Sequence, residues 1–275
     1  MPTLTVNGAT IAYSDSGAPP QRPDAPTIVF GHGLLFSGWM FAAQIEALRA
    51  SYRCVAIDWR GQGDSPPAAG GYDMDTLSLD AIALIEHLGV GPVHYVGLSM
   101  GGFVGQRIAA RRGELVRSLI LLDTSAEAES WASAWQDRLL SKVFRVVGIG
   151  PVRRPVLRLM FGPTFMAEPR SKALIEDWSA RLANCDRAGI CDAVLGVANR
   201  SSILPELGAV RTPTLVLVGA DDKPTPPARA RTIAAAIAGA RLEIIADSGH
   251  SSTVEQPEVV TTLIRDFVTE VDQAR

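Results

Sequence analysis

Residues 93–112 read VHYVGLSMGGFVGQRIAARR, and the way this stretch turns decides the fold. VHYV is a short, β-branched, apolar run of the kind strands use, while FVGQRIAARR reads as a helix. Between them GLSMGG (97–102) must turn the chain with glycine at 97, 101 and 102 and a serine at 99. Glycines make room in a turn too tight for neighbouring side chains. The serine at its apex takes a strained backbone conformation that projects its hydroxyl outward at the carboxyl end of the strand. The helix starting there offers free N–H groups and the positive end of its dipole. A glycine-rich turn capped by a serine gives the pattern Gly97-x-Ser99-x-Gly101 by chance, so the strand-turn-helix context carries as much as the pattern.

Working outward, PTIVFGHG, YRCVAIDWRG, VRSLILLDTS, PTLVLVGADD and ARLEIIADSGH are equally short and apolar, and look like strands buried on both faces. The N-terminal MPTLTVNGATIAYSDSG alternates like a hairpin. Helical stretches lie between the strands. Before GLSMGG, Leu77, Ala81, Leu84, Ile85 and Leu88 share one side, with Gly89 and Gly91 as a stop signal. In the last helix Val259, Leu263, Phe267 and Val271 form one row and Val260, Ile264 and Val268 the next, opposite Arg265, Asp266 and Glu270. Buried strands alternating with amphipathic helices give an α/β fold with a mostly parallel central sheet flanked by helices.

One region breaks the alternation. From 126 to 207 strand signals vanish and the text turns helical, interrupted at GIGP, FGP and AEP. We read it as an all-helical cap inserted between two strands of a core made of residues 1–125 and 208–275. A chain of 275 residues, nearly half apolar, buries a large core in such an arrangement. A net charge of −3 lacks the field that nucleic-acid binders need. Cys54, Cys185 and Cys191 have neither disulfide-framework nor metal spacing. With no signal peptide and no apolar run near the roughly 18 residues of a membrane span, a cytoplasmic protein is the expectation.

A serine hydroxyl needs a base to attack anything near neutral pH. Of four histidines, His87 ends a helix and His94 sits within a strand, where structural roles suit them. His250, in the loop SGHSS after a strand, arrives at a carboxyl end, as a base should. The base needs an acid to hold its tautomer, and VLVGADDKPTPP offers Asp221 and Asp222 directly after another strand. The chain order Ser99, Asp, His250 is that of one type of serine hydrolase and differs from those of chymotrypsin and subtilisin.

With GHGLLFSGW, DWRGQGDS, GLSMGG, LVGADDKPTPP and ADSGHSSTVEQPE in place, the chain resembles the Ser-His-Asp α/β hydrolases along almost its whole length. Within them it is similar to 3-oxoadipate enol-lactonases and cofactor-free haloperoxidase-like carboxylesterases. The resemblance implies Asp222 as the acid, with Asp221 as a possible helper. It implies an oxyanion hole from the backbone N–H groups of Leu34 and Met100, and His32 as a brace for the first loop. It implies hydrolysis of esters or lactones with no metal or organic cofactor. DWRGQGDS resembles the family's D-x-R-G-x-G-x-S loop, whose Arg60 ties the loop to neighbouring backbone. Ser99 in place of an aspartate argues against haloalkane dehalogenases and epoxide hydrolases. Leu34, Leu35 and Phe36 replace the proline-bearing loop common among perhydrolases. Perhydrolysis and C–C bond hydrolysis on the same triad remain alternatives, as do a non-catalytic ligand-binding homologue and a cofactor-free oxygenase.

For the substrate pocket we expect Leu35, Trp39, Trp131, Trp135, Phe144, Phe161 and Phe165, an apolar set suited to small or medium acyl groups. These side chains could equally glue the cap to the core. The partner expected is a small-molecule ester or lactone, not nucleic acid. Oligomeric state is not legible.

Overall fold

Asn7 and Gly8, with φ of 48° and 73°, make the two-residue turn that joins β1 (Thr3–Val6) to β2 (Ala9–Asp15). Positive φ at both central residues matches the twist of a hairpin, and an Asn-Gly pair supplies it at low cost. In this computed structural model, which describes residues 1–274, the hairpin is the edge of one eight-stranded sheet. The chain continues through β3 (Thr27–Gly31), α1 (Ala42–Leu48), β4 (Arg53–Ile57), α2 (Met74–Leu88), β5 (Val93–Leu98), α3 (Met100–Arg111) and β6 (Val116–Leu122). Five helices follow: α4 (Trp131–Val147), α5 (Ile149–Met160), α6 (Pro163–Ala167), α7 (Pro169–Asn184) and α8 (Arg187–Ala198). Then come β7 (Thr214–Gly219), α9 (Pro227–Ala236), β8 (Arg241–Ile245), α10 (Ser252–Glu255) and α11 (Pro257–Gln273). The strand order is β1-β2-β4-β3-β5-β6-β7-β8, antiparallel from β1 to β4 and parallel from β4 onward.

The largely apolar runs of β3, β5, β6 and β7 have a direct cause: both faces of the sheet are covered. Phe30, Leu98, Leu122 and Leu217 point to one face, where α1 and α11 pack, and Val29, Tyr95, Leu121 and Val218 to the other, under α2, α3 and α9. Each such side chain contributes about 1.5–3 kcal/mol by leaving water. β8 departs from the expectation of full burial. Its first four residues are exposed or half-buried, because it closes the sheet with only β7 beside it. In α11 the buried row is centred on Val260, Ile264 and Val268, which lie under the sheet, while Val259 is turned out to solvent. Helix α2 is capped as its sequence implies: Asp73 accepts the Thr76 N–H at 2.9 Å and Gly89 ends the helix at φ 61°.

Arg60 ties more than backbone. Its guanidinium meets the Asp80 carboxylate of α2 at 2.6 and 2.7 Å, and also reaches the Gly70 and Asn7 carbonyls, with both ionic side chains buried. Removing the acid leaves a buried cation with no counter-charge. Asp80→Ala is therefore expected to lower unfolding free energy by about 3–5 kcal/mol in urea titration. A change within 1 kcal/mol, about the worth of an exposed pair, contradicts this account.

No helix among the described residues is long and apolar enough to cross a membrane.

Candidate active site at the carboxyl end of the sheet

The turn after β5 has the strain its glycines foreshadow. Ser99 sits at φ 51°, ψ −111°, outside the regions a non-glycine residue normally uses. A Cβ at Gly97 would run into the Gly101 carbonyl, and one at Gly101 into the Gly31 carbonyl of β3, so helix α3 docks against the sheet only without side chains there. The strained residue is pinned on both sides: Ser99 N–H donates to Leu122 O at 2.9 Å, and Ser99 O accepts from the Thr124 hydroxyl at 2.8 Å.

Three side chains from three strand ends converge. Ser99 Oγ lies 2.9 Å from His250 Nε2, and His250 Nδ1 lies 3.0 Å from each oxygen of Asp222. All three are buried but for a few per cent. Asp222 follows β7, and His250 follows β8 in a loop whose backbone is laced to the acid's own by Asp221 N–H donating to Ser248 O. Asp221 is exposed, and its link to this loop is through its backbone N–H. Thr225, which the sequence reading passed over, holds the acid: its N–H and hydroxyl donate to Asp222 at 2.9 and 2.8 Å. An aspartate followed three residues later by threonine is a turn signal, and that was the available clue.

Burial disfavours the charged imidazole. The Asp222 carboxylate, then Asp123 and Glu255, together outweigh this, and His250 ends with its pKa above the ordinary value. Asp123, at the end of β6 with φ 46°, is fully buried and accepts from Gly219 N–H and from both N–H and hydroxyl of Ser252. Burial, then the neighbouring Asp222 charge, pushes its pKa well up.

Two loops bring backbone donors to the serine. The Leu35 N–H is taken by Gln62 Oε1 at 2.9 Å, and the Gly101 N–H by His32 O at 3.1 Å. Between them, the N–H groups of Leu34 and Met100 have no acceptor among the described residues. His32 holds the first loop from beneath: Nδ1–H donates to Gly33 O at 2.7 Å and Nε2 accepts the Trp59 N–H at 3.0 Å. Complete burial depresses its pKa to about 3, so the ring stays neutral and this tautomer is fixed. His94 is buried between Ser118 and Asp272, and His87 is exposed; neither meets Ser99.

Two cavities adjoin, one of them at the serine. One of about 310 Å³ opens onto Ser99 and His250 and carries charge: Arg200 is ion-paired to Glu129 at 2.7 Å and stacked 4.2 Å from the Phe103 ring, with Lys223 nearby. The other, about 90 Å³, is apolar, lined by Phe144, Ile149, Val152, Val156, Ile190 and their neighbours. Leu34, Asp137, Leu159 and Met160 belong to both walls. Burial, reinforced by Glu129, raises the Asp137 carboxyl to about 6.

Of the expected pocket residues, Leu35 and Phe144 line the apolar cavity. Phe161 and Phe165 stack on each other beside Phe36 and Trp178 and form packing, without lining either cavity. Trp39 borders a separate surface depression beneath Arg181. Trp131 and Trp135 are corrections: they are 84% and 61% exposed. Helix α4 turns Ala134, Asp137, Ser141 and Phe144 inward at helical spacing, which puts both tryptophans on its outer side. That inner stripe holds an aspartate and a serine, so apolarity alone points to the wrong face. Among the described residues no group of three or more His, Cys, Asp or Glu side chains is arranged to hold a metal ion.

Residues 26–257 match the family model described as alpha/beta hydrolase fold. The chain is 30% identical over 256 residues, 93% of its own length and 92% of the relative's, to 3-oxoadipate enol-lactonase 2 of Acinetobacter baylyi. Among solved structures it superposes on the enol-lactonase of Burkholderia xenovorans with a TM-score of 0.89 at 28% identity, covering 98% of this chain and all of that one. It also superposes on a thermophilic esterase of Thermogutta terrifontis with a TM-score of 0.87 at 30% identity, covering 98% and 97%.

Proposed function

The chain belongs to the α/β-hydrolase family, and from that membership we propose that it is a carboxylic ester hydrolase, cleaving esters or lactones through an acyl-enzyme on Ser99. The observation that carries the reading is the continuous chain from Ser99 Oγ through His250 to Asp222, with every link at 2.9–3.0 Å. His250 Nε2 takes the hydroxyl proton as Oγ attacks the carbonyl carbon. Asp222 keeps the ring's other proton on Nδ1 and stabilises the imidazolium. The free N–H groups of Leu34 and Met100 receive the oxyanion, fixed in place before charge develops and therefore without reorganisation cost. Collapse expels the alcohol, which takes the proton from His250; in a lactone that alcohol stays tethered to the acyl group. Water, deprotonated by the same nitrogen, then releases the acid.

Residues 126–207 act as a cap, whose α4, α5 and α8 supply most of the apolar cavity in which the acyl chain sits. The charged, larger cavity at Ser99 receives the ester group and the departing alcohol. A snug apolar chamber predicts chain-length selection. Val156→Phe, which fills part of the cavity, is expected to cut kcat/KM for p-nitrophenyl hexanoate by about 10- to 100-fold while leaving the acetate near wild type. Equal losses on both esters would place the acyl chain elsewhere.

The reading itself is tested by incubating the protein with a fluorophosphonate and mapping the label, alongside turnover of p-nitrophenyl esters. Label on Ser99 with turnover is the expected result. Neither label nor turnover on any ester overturns the proposal.

A further inference from the structure

Glu255, the last residue of α10, is completely buried and takes part in none of the steps above, yet three backbone N–H groups converge on its carboxylate. Oε2 accepts from Gly162 at 2.8 Å and from Gly249 at 2.9 Å, and Oε1 from Ser251 at 3.0 Å. Gly249 and Ser251 are the residues on either side of His250. Gly162 belongs to the turn between α5 and α6, beyond Met160, which lines both cavities. A second bond runs alongside, from the Ser251 hydroxyl to the Met160 carbonyl at 2.7 Å. The two backbones touch without side chains between them: a Cβ on Gly162 would lie 2.7 Å from Gly249 N. Arg170 of α7 closes the junction by donating to the Glu255 carbonyl at 2.8 Å.

We propose that Glu255 is a positioning residue that clamps the loop carrying His250 to the helical insertion walling the pocket, so that the base is seated only when that wall is in place. The inference rests on His250 serving as the base for Ser99. A carboxylate is the one side chain of this length that accepts on both oxygens and donates nothing, which is what three convergent N–H groups require. On the opposite side Asp123 holds Ser252 and Gly219, tying the same loop to the strand that leads to Asp222. His250 is thus suspended between two buried carboxylates, one anchored in the sheet and the other in the insertion. A shift of the pocket wall at Met160 passes to the imidazole through two hydrogen bonds and a glycine contact.

The test is Glu255→Gln, whose amide NH₂ must face at least one of the three donors. On the folded variant kcat for p-nitrophenyl butyrate is expected to fall by about 100-fold, since a displacement near 1 Å costs that much. KM should change little. The acid limb of the kcat/KM profile should move to lower pH, because one of the negative charges that face His250, those of Asp222, Asp123 and Glu255, is gone. A purely structural role lowers the melting temperature without moving that limb. Ser251→Ala, which cuts only the Met160 link, is expected to lower kcat by about 10-fold and decides the matter if Glu255→Gln does not fold. Wild-type kcat and an unmoved limb in the folded variants overturn the inference. Fluorophosphonate labelling separates the two levels: an unlabelled wild type overturns the hydrolase reading, whereas a labelled wild type matched in rate by Glu255→Gln overturns this inference alone.

Discussion

Ser99→Ala should abolish ester hydrolysis while leaving the protein folded and of similar stability. Among the described residues the one side-chain partner of His250 Nε2 is Ser99 Oγ at 2.9 Å, so no other nucleophile stands ready to replace it. Loss of a nucleophile in such a triad costs on the order of 10⁴- to 10⁶-fold in kcat, with the residue of catalysis coming from oxyanion stabilisation and binding. The fold is indifferent because alanine makes the same turn at φ 51° and loses only the bond to the imidazole. The backbone pins to Leu122 and Thr124 remain. Stability is expected within about 1 kcal/mol of wild type, or slightly above it, since active sites hold strained polar groups at the expense of stability. The check is turnover of p-nitrophenyl butyrate at equal folded concentration together with urea denaturation of both proteins. A folded Ser99→Ala enzyme within 10-fold of wild type would show that another group attacks the ester.

Much of this arrangement was legible because it is local. GLSMGG announces its turn through glycines that only a close backbone approach demands, and the structure puts Gly101 against β3 and Gly97 against Gly101. The strand-helix alternation survives because strands buried on both faces are apolar at most positions. Where burial is one-sided the reading weakens: β8 is apolar enough to look central but lies at the edge, and α11 turns Val259 outward because two adjacent apolar rows give no sign of which one meets the sheet.

The site divides in the same way. Ser99 and His250 were legible because each stands at a strand end in a distinctive loop; the loop after β7 offered Asp221 and Asp222 alike, the family resemblance pointed to Asp222, and the structure sets Asp222 against the imidazole. The residues around them depend on three-dimensional neighbours that no local pattern encodes. Asp123 and Glu255 look like ordinary acids in LLDTS and TVEQPE; only the convergence of N–H donors from chain segments up to 129 residues away gives them a role. The pocket was least legible. Large aromatic residues drew attention to Trp131 and Trp135, while the face of α4 that meets the cavity carries Asp137 and Ser141. Size and apolarity identify what can be buried, but the direction of a helix face in an insertion is set by the partners it packs on.

Asp222→Asn should lower kcat by about 10³- to 10⁴-fold through the wrong tautomer rather than through lost binding. The Asp222 oxygens now serve Thr225 and the imidazole together, Oδ1 accepting the Thr225 N–H and both lying 3.0 Å from His250 Nδ1. With the asparagine carbonyl kept on that N–H, its NH₂ faces Nδ1. The ring must then carry its proton on Nε2, where Ser99 needs an acceptor. KM should stay within a few-fold, because Asp222 touches no cavity wall. The pH profile supplies an independent sign. The base works when neutral, and the facing carboxylates, Asp222 foremost, together outweigh burial to hold the His250 pKa above 6.5, so wild-type kcat/KM is lost as pH falls through a value above 6.5. Removing the charge lets burial dominate, and the acid limb moves to lower pH even as the plateau drops. Asp123 sets the rival outcome, being the other carboxyl whose charge acts on both Asp222 and His250. A loss of less than 10-fold in Asp222→Asn, deepened to 10³-fold or more when Asp123→Asn is added, would transfer the role of the acid from the end of β7 to the end of β6.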